Sequence, residues 1–140
     1  MRTIGAEVPF HFSPREGIII RGYIDKVQED REGNLRIVDY KTSKKVYDRS
    51  KLTTPLQLYI YHLACQELYP GKHISEYLYD FILLGEKAKA GSLNWLKKCD
   101  KKLNDILDGI EKDRESGIWR PKPTPLCHWC AYCAHNPNAP

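Results

Sequence analysis

The sequence has no long apolar run. Its longest stretches, Ile18 to Ile20 and Phe81 to Leu84, are strand-sized, far short of the ~20 residues that a bilayer crossing needs. That excludes a membrane-spanning helix in this sequence, and no membrane partner is expected. No charged n-region followed by an apolar h-region opens the chain, so no secretory signal is visible and a cytoplasmic setting is the expectation. There is no internal repeat and no low-complexity segment, which leaves solenoids and linkers aside. Cysteine is scarce. The five residues are an odd count, with three gathered at Cys127, Cys130 and Cys133, unlike the spread of a secreted disulfide scaffold. Neither sign of charge dominates: a net +4 suits a nucleic-acid partner without requiring one.

What remains is an ordinary soluble composition on 140 residues, enough for one core. The richest stretch is Gly22 to Thr42. Its first part, about Ile18 to Val27, and its last, Leu35 to Lys41, read as strands. Between them Glu29, Asp30, Arg31, Glu32, Gly33 and Asn34 form a turn with no apolar member. Side chains alternate along a strand, so Leu35, Ile37, Asp39 and Lys41 share one face, and Asp25 is expected on the face of Arg21 and Tyr23. Asp39 stands where an apolar residue would fit, and a carboxylate there is costly unless compensated. An Asp39–Lys41 ion pair with Asp25 capping a turn is one reading. Two carboxylates beside an ammonium, holding a divalent ion for phosphodiester attack, is the other.

The rest of the chain gives a fold. Ile4 to Phe12 suggests a first strand carrying Pro9, which suits an edge, and Glu7 is a strand residue more easily placed in solvent than toward a metal. Ser13 to Gly17 is a turn. Lys44 to Thr54 reads as a loop with four basic residues, Lys44, Lys45, Arg49 and Lys51. Pro55 marks the first turn of a helix capped by Thr53 or Thr54 and ending at Tyr69 before Pro70-Gly71. Gln57 and Tyr61 share a stripe of that helix at i, i+4. Glu76 to Leu84 reads as a strand covered on both faces, parallel to its neighbour because a helix precedes it. A loop over 85–91 leads into an amphipathic helix from Ser92 to near Gly117. Cys65 and Cys99 fall at core positions, and His62 is structural. The order is β-β-β-α-β-α: an α/β (α+β) fold, a mixed sheet flanked by helices. Residues 1–118 form the expected core and 119–140 a cysteine-containing tail.

Gly22-Tyr23-Ile24-Asp25, Asp39-Tyr40-Lys41-Thr42 and Gln57-Leu58-Tyr59-Ile60-Tyr61, in that order, resemble the RecB-family nuclease domain of the PD-(D/E)XK superfamily, which includes phage and CRISPR-associated exonucleases. The resemblance implies a restriction-endonuclease-like sheet. It implies a DNA nuclease dependent on Mg²⁺ or Mn²⁺, expected to act as an exonuclease in repair, recombination or phage and CRISPR DNA processing, with helicase or recombination proteins as partners. Asp25, Asp39 and the Tyr40 carbonyl would be metal ligands. Lys41 would be catalytic, and Gln57 and Tyr61 would position substrate. The family's first core helix, with its His ligand and an early cysteine, has no counterpart in this sequence. A catalytically inactive DNA-binding or assembly module is therefore the alternative. The run Cys127-His128-Trp129-Cys130-Ala131-Tyr132-Cys133 reads as metal ligation. The resemblance implies a [4Fe–4S] cluster, while zinc completed by His128 or His135, or no metal, stays open.

Overall fold

The polar turn at Glu29–Asn34 closes as the sequence predicts. Asp30 takes the backbone N–H of Asn34 on its side chain at 2.8 Å, and Gly33 adopts φ +85°, which a residue without Cβ accepts freely. This turn sits in a computed structural model describing residues 1–120 and 122–130. It joins β2 (Ile18–Glu29) to β3 (Leu35–Lys41), and β1 (Arg2–Arg15) pairs with β2 on its other side.

A helix follows β3, and the next strand, β4 (Ile74–Phe81), pairs parallel with it; Ile37, Asp39 and Lys41 stand beside Tyr77, Tyr79 and Phe81. The sheet runs in the order β1-β2-β3-β4-β5. Pro9 therefore lies on an edge strand, opposite Tyr23, where a missing ladder donor is tolerated.

Several boundaries differ from expectation: β1 extends to Arg15 into the expected turn, β4 begins at Ile74, and the last long helix begins at Trp95 instead of Ser92. The basic segment contains a short helix, α1 (Arg49–Thr53), because Asp48 accepts the N–H of Lys51 at 3.0 Å and caps it. The longer helix α2 (Leu56–Leu68) begins after Pro55, which itself occupies the cap position, so neither threonine caps it. The fourth strand stops at Phe81. Ile82 and Leu83 are exposed in a turn through Gly85 at φ +65°, and 86–89 returns as an antiparallel edge strand, β5 (Glu86–Lys89). An apolar run cannot by itself distinguish strand from turn.

Met1–Asp105 forms one compact unit, and a second begins at Ile106. In the first, α2 and the start of α3 (Trp95–Ser116) lie on the Ile37–Tyr77 face of the sheet. His62 Nδ1 is 2.6 Å from the Tyr77 hydroxyl, and Trp95 meets Tyr59 and Tyr77 edge-on. Ile24, Val27, Leu35, Ile37, Leu58 and Phe81 are fully buried, as are Cys65 and Cys99. On the opposite face of β3 and β4, Glu76 pairs with Arg36 and Lys89 and Asp80 with Lys87. So β4 is covered by ion pairs there rather than by an apolar layer, although Leu78 between them is buried.

The β1–β2 arm does not keep one alternation throughout. On β2, Ile24 and Val27 are both fully buried, three positions apart, where strict alternation allows two or four. On β1 the matching region holds Glu7 at φ +48°, a conformation uncommon outside glycine. The arm therefore turns its inward face over at Asp25. Tyr23 and Arg21 face solvent, and Asp25 does not share their side as alternation alone predicted.

Candidate active site

The β2–β3 ladder ends at Lys26–Val38, and the two aspartates stand in the notch where the strands part. Asp25 replaces the missing ladder acceptor: its Oδ2 takes the Tyr40 N–H at 2.7 Å. The Lys41 carbonyl accepts from Ile82 on the β4 side. Carbonyls of successive strand residues point to opposite edges, so the Tyr40 carbonyl points to the edge that Asp25 occupies.

Asp39 is 1 % exposed, the one charged residue in the core among the described residues. The Lys41 ammonium lies 2.5 Å from its Oδ2, yet that oxygen accepts no hydrogen bond of good geometry. Burial holds the carboxyl above the usual range. Lys41 and the Tyr61 hydroxyl pull it down, and the neighbouring charge of Asp25 pushes it up.

Lys41 is held from three sides. Besides Asp39, its ammonium donates to Gln57 Oε1 at 2.9 Å and sits 5.3 Å from the centre of the Tyr79 ring. Gln57 Nε2 in turn donates to the Tyr61 hydroxyl at 2.9 Å. Burial raises Tyr61 to about 12, so the phenol stays neutral across any working pH. The i, i+4 stripe of α2 thus reaches β3 as a chain of hydrogen bonds from Tyr61 through Gln57 to Lys41, ending in the ion pair with Asp39.

Asp25, Asp39, Tyr40, Lys41, Gln57 and Tyr61 are brought together. The expected cysteine centre is not supported. Cys127 belongs to a short 3-10 turn (Pro125–Trp129), where its Sγ accepts the Thr124 N–H at 3.2 Å, and Cys130 follows at the surface. Among the described residues no three His, Cys, Asp or Glu side chains gather as a metal site. Cys133 and His135 lie outside the described residues.

The reading of the sequence missed two supports. Phe10 packs edge-on against Tyr61 with ring centres 5.9 Å apart. It can do so because it lies over Gly22, where a methyl group would come within 2.9 Å of the Phe10 ring. The glycine of G-Y-I-D is therefore a packing requirement. A glycine inside a strand was the available signal, since it often marks close approach of another group. Tyr79, under Lys41, had no comparable signal.

A buried carboxylate oxygen with no hydrogen bond of good geometry, a second carboxylate and a carbonyl on one edge make an all-oxygen donor set. Hard cations such as Mg²⁺ and Mn²⁺ prefer such donors, so the residues fit the kind of metal a phosphodiesterase uses. No curated protein matches this sequence. The family description of the PD-(D/E)XK nuclease superfamily, whose members are metal-dependent nucleases, matches residues 1–135. That span takes in all five strands, α2 and the notch between the two aspartates, and the chain accordingly belongs to the PD-(D/E)XK nuclease superfamily.

Proposed function

We propose that the chain is a divalent-metal-dependent deoxyribonuclease acting from DNA ends, in the manner of the RecB-like members of its superfamily. The observation that carries this reading is the buried Asp39 oxygen without a hydrogen bond, beside Asp25 and within an ion pair of Lys41.

Asp25, Asp39 and the Tyr40 carbonyl would hold one or two Mg²⁺ or Mn²⁺ ions. Such an ion supplies Lewis-acid chemistry, lowering the pKa of water and offsetting charge on a phosphodiester. The chain's own groups do the rest. Asp39, buried beside a second carboxylate with Lys41 as its cation, favours any further cation that enters. Lys41 donates toward the charge that builds on the phosphoryl oxygens, and donors aimed at developing charge are worth most where water is excluded. Gln57 holds the ammonium in place so that little reorganisation is needed. Tyr61, always neutral, fixes Gln57 and adds no competing charge.

The basic segment after β3 supports a DNA substrate. Tyr47 packs on Tyr79 and Phe81, and Lys51 lies over the Tyr47 ring. This pins the segment beside the site and leaves Lys44 and Lys45 exposed, where they can meet phosphates.

The test is cleavage of end-labelled single- and double-stranded DNA with Mg²⁺, Mn²⁺ or EDTA, wild type against Lys41→Ala. Metal-dependent loss of label that falls by at least about 10²–10³-fold in the variant is expected. Equal activity in a folded Lys41→Ala protein refutes the assignment. DNA binding without metal-dependent cleavage by the wild type would make the chain a binding module instead.

A further inference from the structure

The outward side of the β1–β2 arm carries a feature the catalytic notch does not use. Pro9, His11, Ile19, Arg21 and Tyr23 border an open concavity of about 700 Å³. Ile19 is 70 % and Tyr23 65 % exposed, high for large apolar or aromatic side chains that flank Arg21 on one strand face. No acidic residue borders the concavity. Among the described residues Arg21 and His11 have neither an ion pair nor a side-chain hydrogen bond. Elsewhere on the sheet arginines are engaged: Arg2 pairs with Glu29 and Arg36 with Glu76.

We propose that this surface is a subsite for single-stranded DNA, with an unpaired base stacked on Tyr23 and a backbone phosphate held by Arg21. The inference rests on the nuclease reading for its substrate class and adds the form of that substrate. An exposed aromatic ring beside a cation is the arrangement that binds single strands without sequence preference. It discriminates against duplex, whose bases already stack on each other. Charge decides for DNA as first choice: the cationic, acid-free border complements phosphate and disfavours a basic peptide. Tyr23 precedes Asp25 by two residues, about 7 Å along the strand. The turnover of the arm at Asp25 sends Tyr23 to the outside and Asp25 to the notch, so the subsite lies on the outer side of the same strand, and a DNA strand held on Tyr23 passes round the arm to reach the carboxylates.

The experiment measures binding of a labelled oligo-dT, and of a duplex of equal length, by fluorescence anisotropy in EDTA. The proteins are wild type, Tyr23→Ala, Tyr23→Trp and Arg21→Ala, each checked for an unchanged thermal melt. Tyr23→Ala should weaken the single strand about 5- to 100-fold, with little change for duplex, and Tyr23→Trp should restore it. Arg21→Ala should lower the magnitude of the slope of log K against log salt by about 0.7. Wild-type affinity in Tyr23→Ala, an equal loss for duplex, or no single-strand binding by the wild type would overturn the proposal. So would a wild-type dimer that Tyr23→Ala dissociates without altering DNA affinity. The two readings fail separately. A wild type that cleaves DNA while Tyr23→Ala binds normally loses the subsite and keeps the nuclease. A wild type that does not cleave but binds through Tyr23 keeps the subsite.

Discussion

Gln57 on α2 and Lys41 on β3 meet at 2.9 Å, the glutamine carbonyl oxygen accepting from the ammonium. This contact joins the helix to the strand that carries Asp39. It makes the orientation of the ammonium a property of helix packing as well as of the strand.

Asp39 and Lys41 should be strongly coupled. Lys41→Ala leaves a buried carboxylate without its cation, and breaking a buried pair from one side is costly. It should destabilise the protein by about 2–4 kcal/mol, somewhat below the full range for buried pairs because the lysine is partly exposed. Adding Asp39→Asn removes the stranded charge and should recover most of the loss. Urea denaturation of both single variants and the double variant measures the coupling, and additive effects would contradict the ion pair.

The same carboxylate sets a pH dependence. Its folded pKa is raised, by burial first, so the metal-free folded chain holds this proton more tightly than the unfolded chain. Stability should therefore fall as pH rises from the ordinary carboxylate value of about 4 through the raised value, and level off above it. Asp39→Asn should lack this component. Melting curves in EDTA across that window check it; parallel profiles for the two proteins would refute it. Mg²⁺ should raise the melting temperature at neutral pH in the wild type and not in the variant.

Tyr61→Phe removes the hydroxyl that accepts from Gln57 Nε2. The ring and its packing on Phe10 remain, so the stability cost should stay near 1 kcal/mol. Freed from that anchor, Gln57 holds the Lys41 ammonium less well, and the cleavage rate should drop about 10-fold or more with DNA affinity little changed. A loss confined to affinity would instead place Tyr61 in substrate binding.

Gly22→Ala tests the buttress beneath Tyr61. The added methyl would come within 2.9 Å of the Phe10 ring, forcing the ring or the strand to shift at about 1–3 kcal/mol. Because Phe10 supports Tyr61, activity measured well below the melting point should fall too. Phe10→Leu in the same background makes room for the methyl and should return part of the stability.

The sequence by itself determined the strand–turn–strand unit, the helix that follows, the parallel crossover and the pairing of Asp39 with Lys41 on one strand face. It also determined that Gln57 and Tyr61 share a helix stripe. All of these follow from local periodicity and turn chemistry, which depend on a few neighbouring residues. The tertiary structure alone decided the side on which Asp25 stands. The period-2 rule placed it with Arg21 and Tyr23, but the arm reverses its inward face beside Glu7, a left-handed residue that no propensity announces. It alone decided how deeply Asp39 is buried, that Gln57 reaches Lys41, and that Phe10 lies over Gly22 to support Tyr61. Those relationships join residues 12 to 51 positions apart in the chain. They exist only once the sheet and α2 have packed, because contact at that separation is set by the whole core and not by any window of sequence.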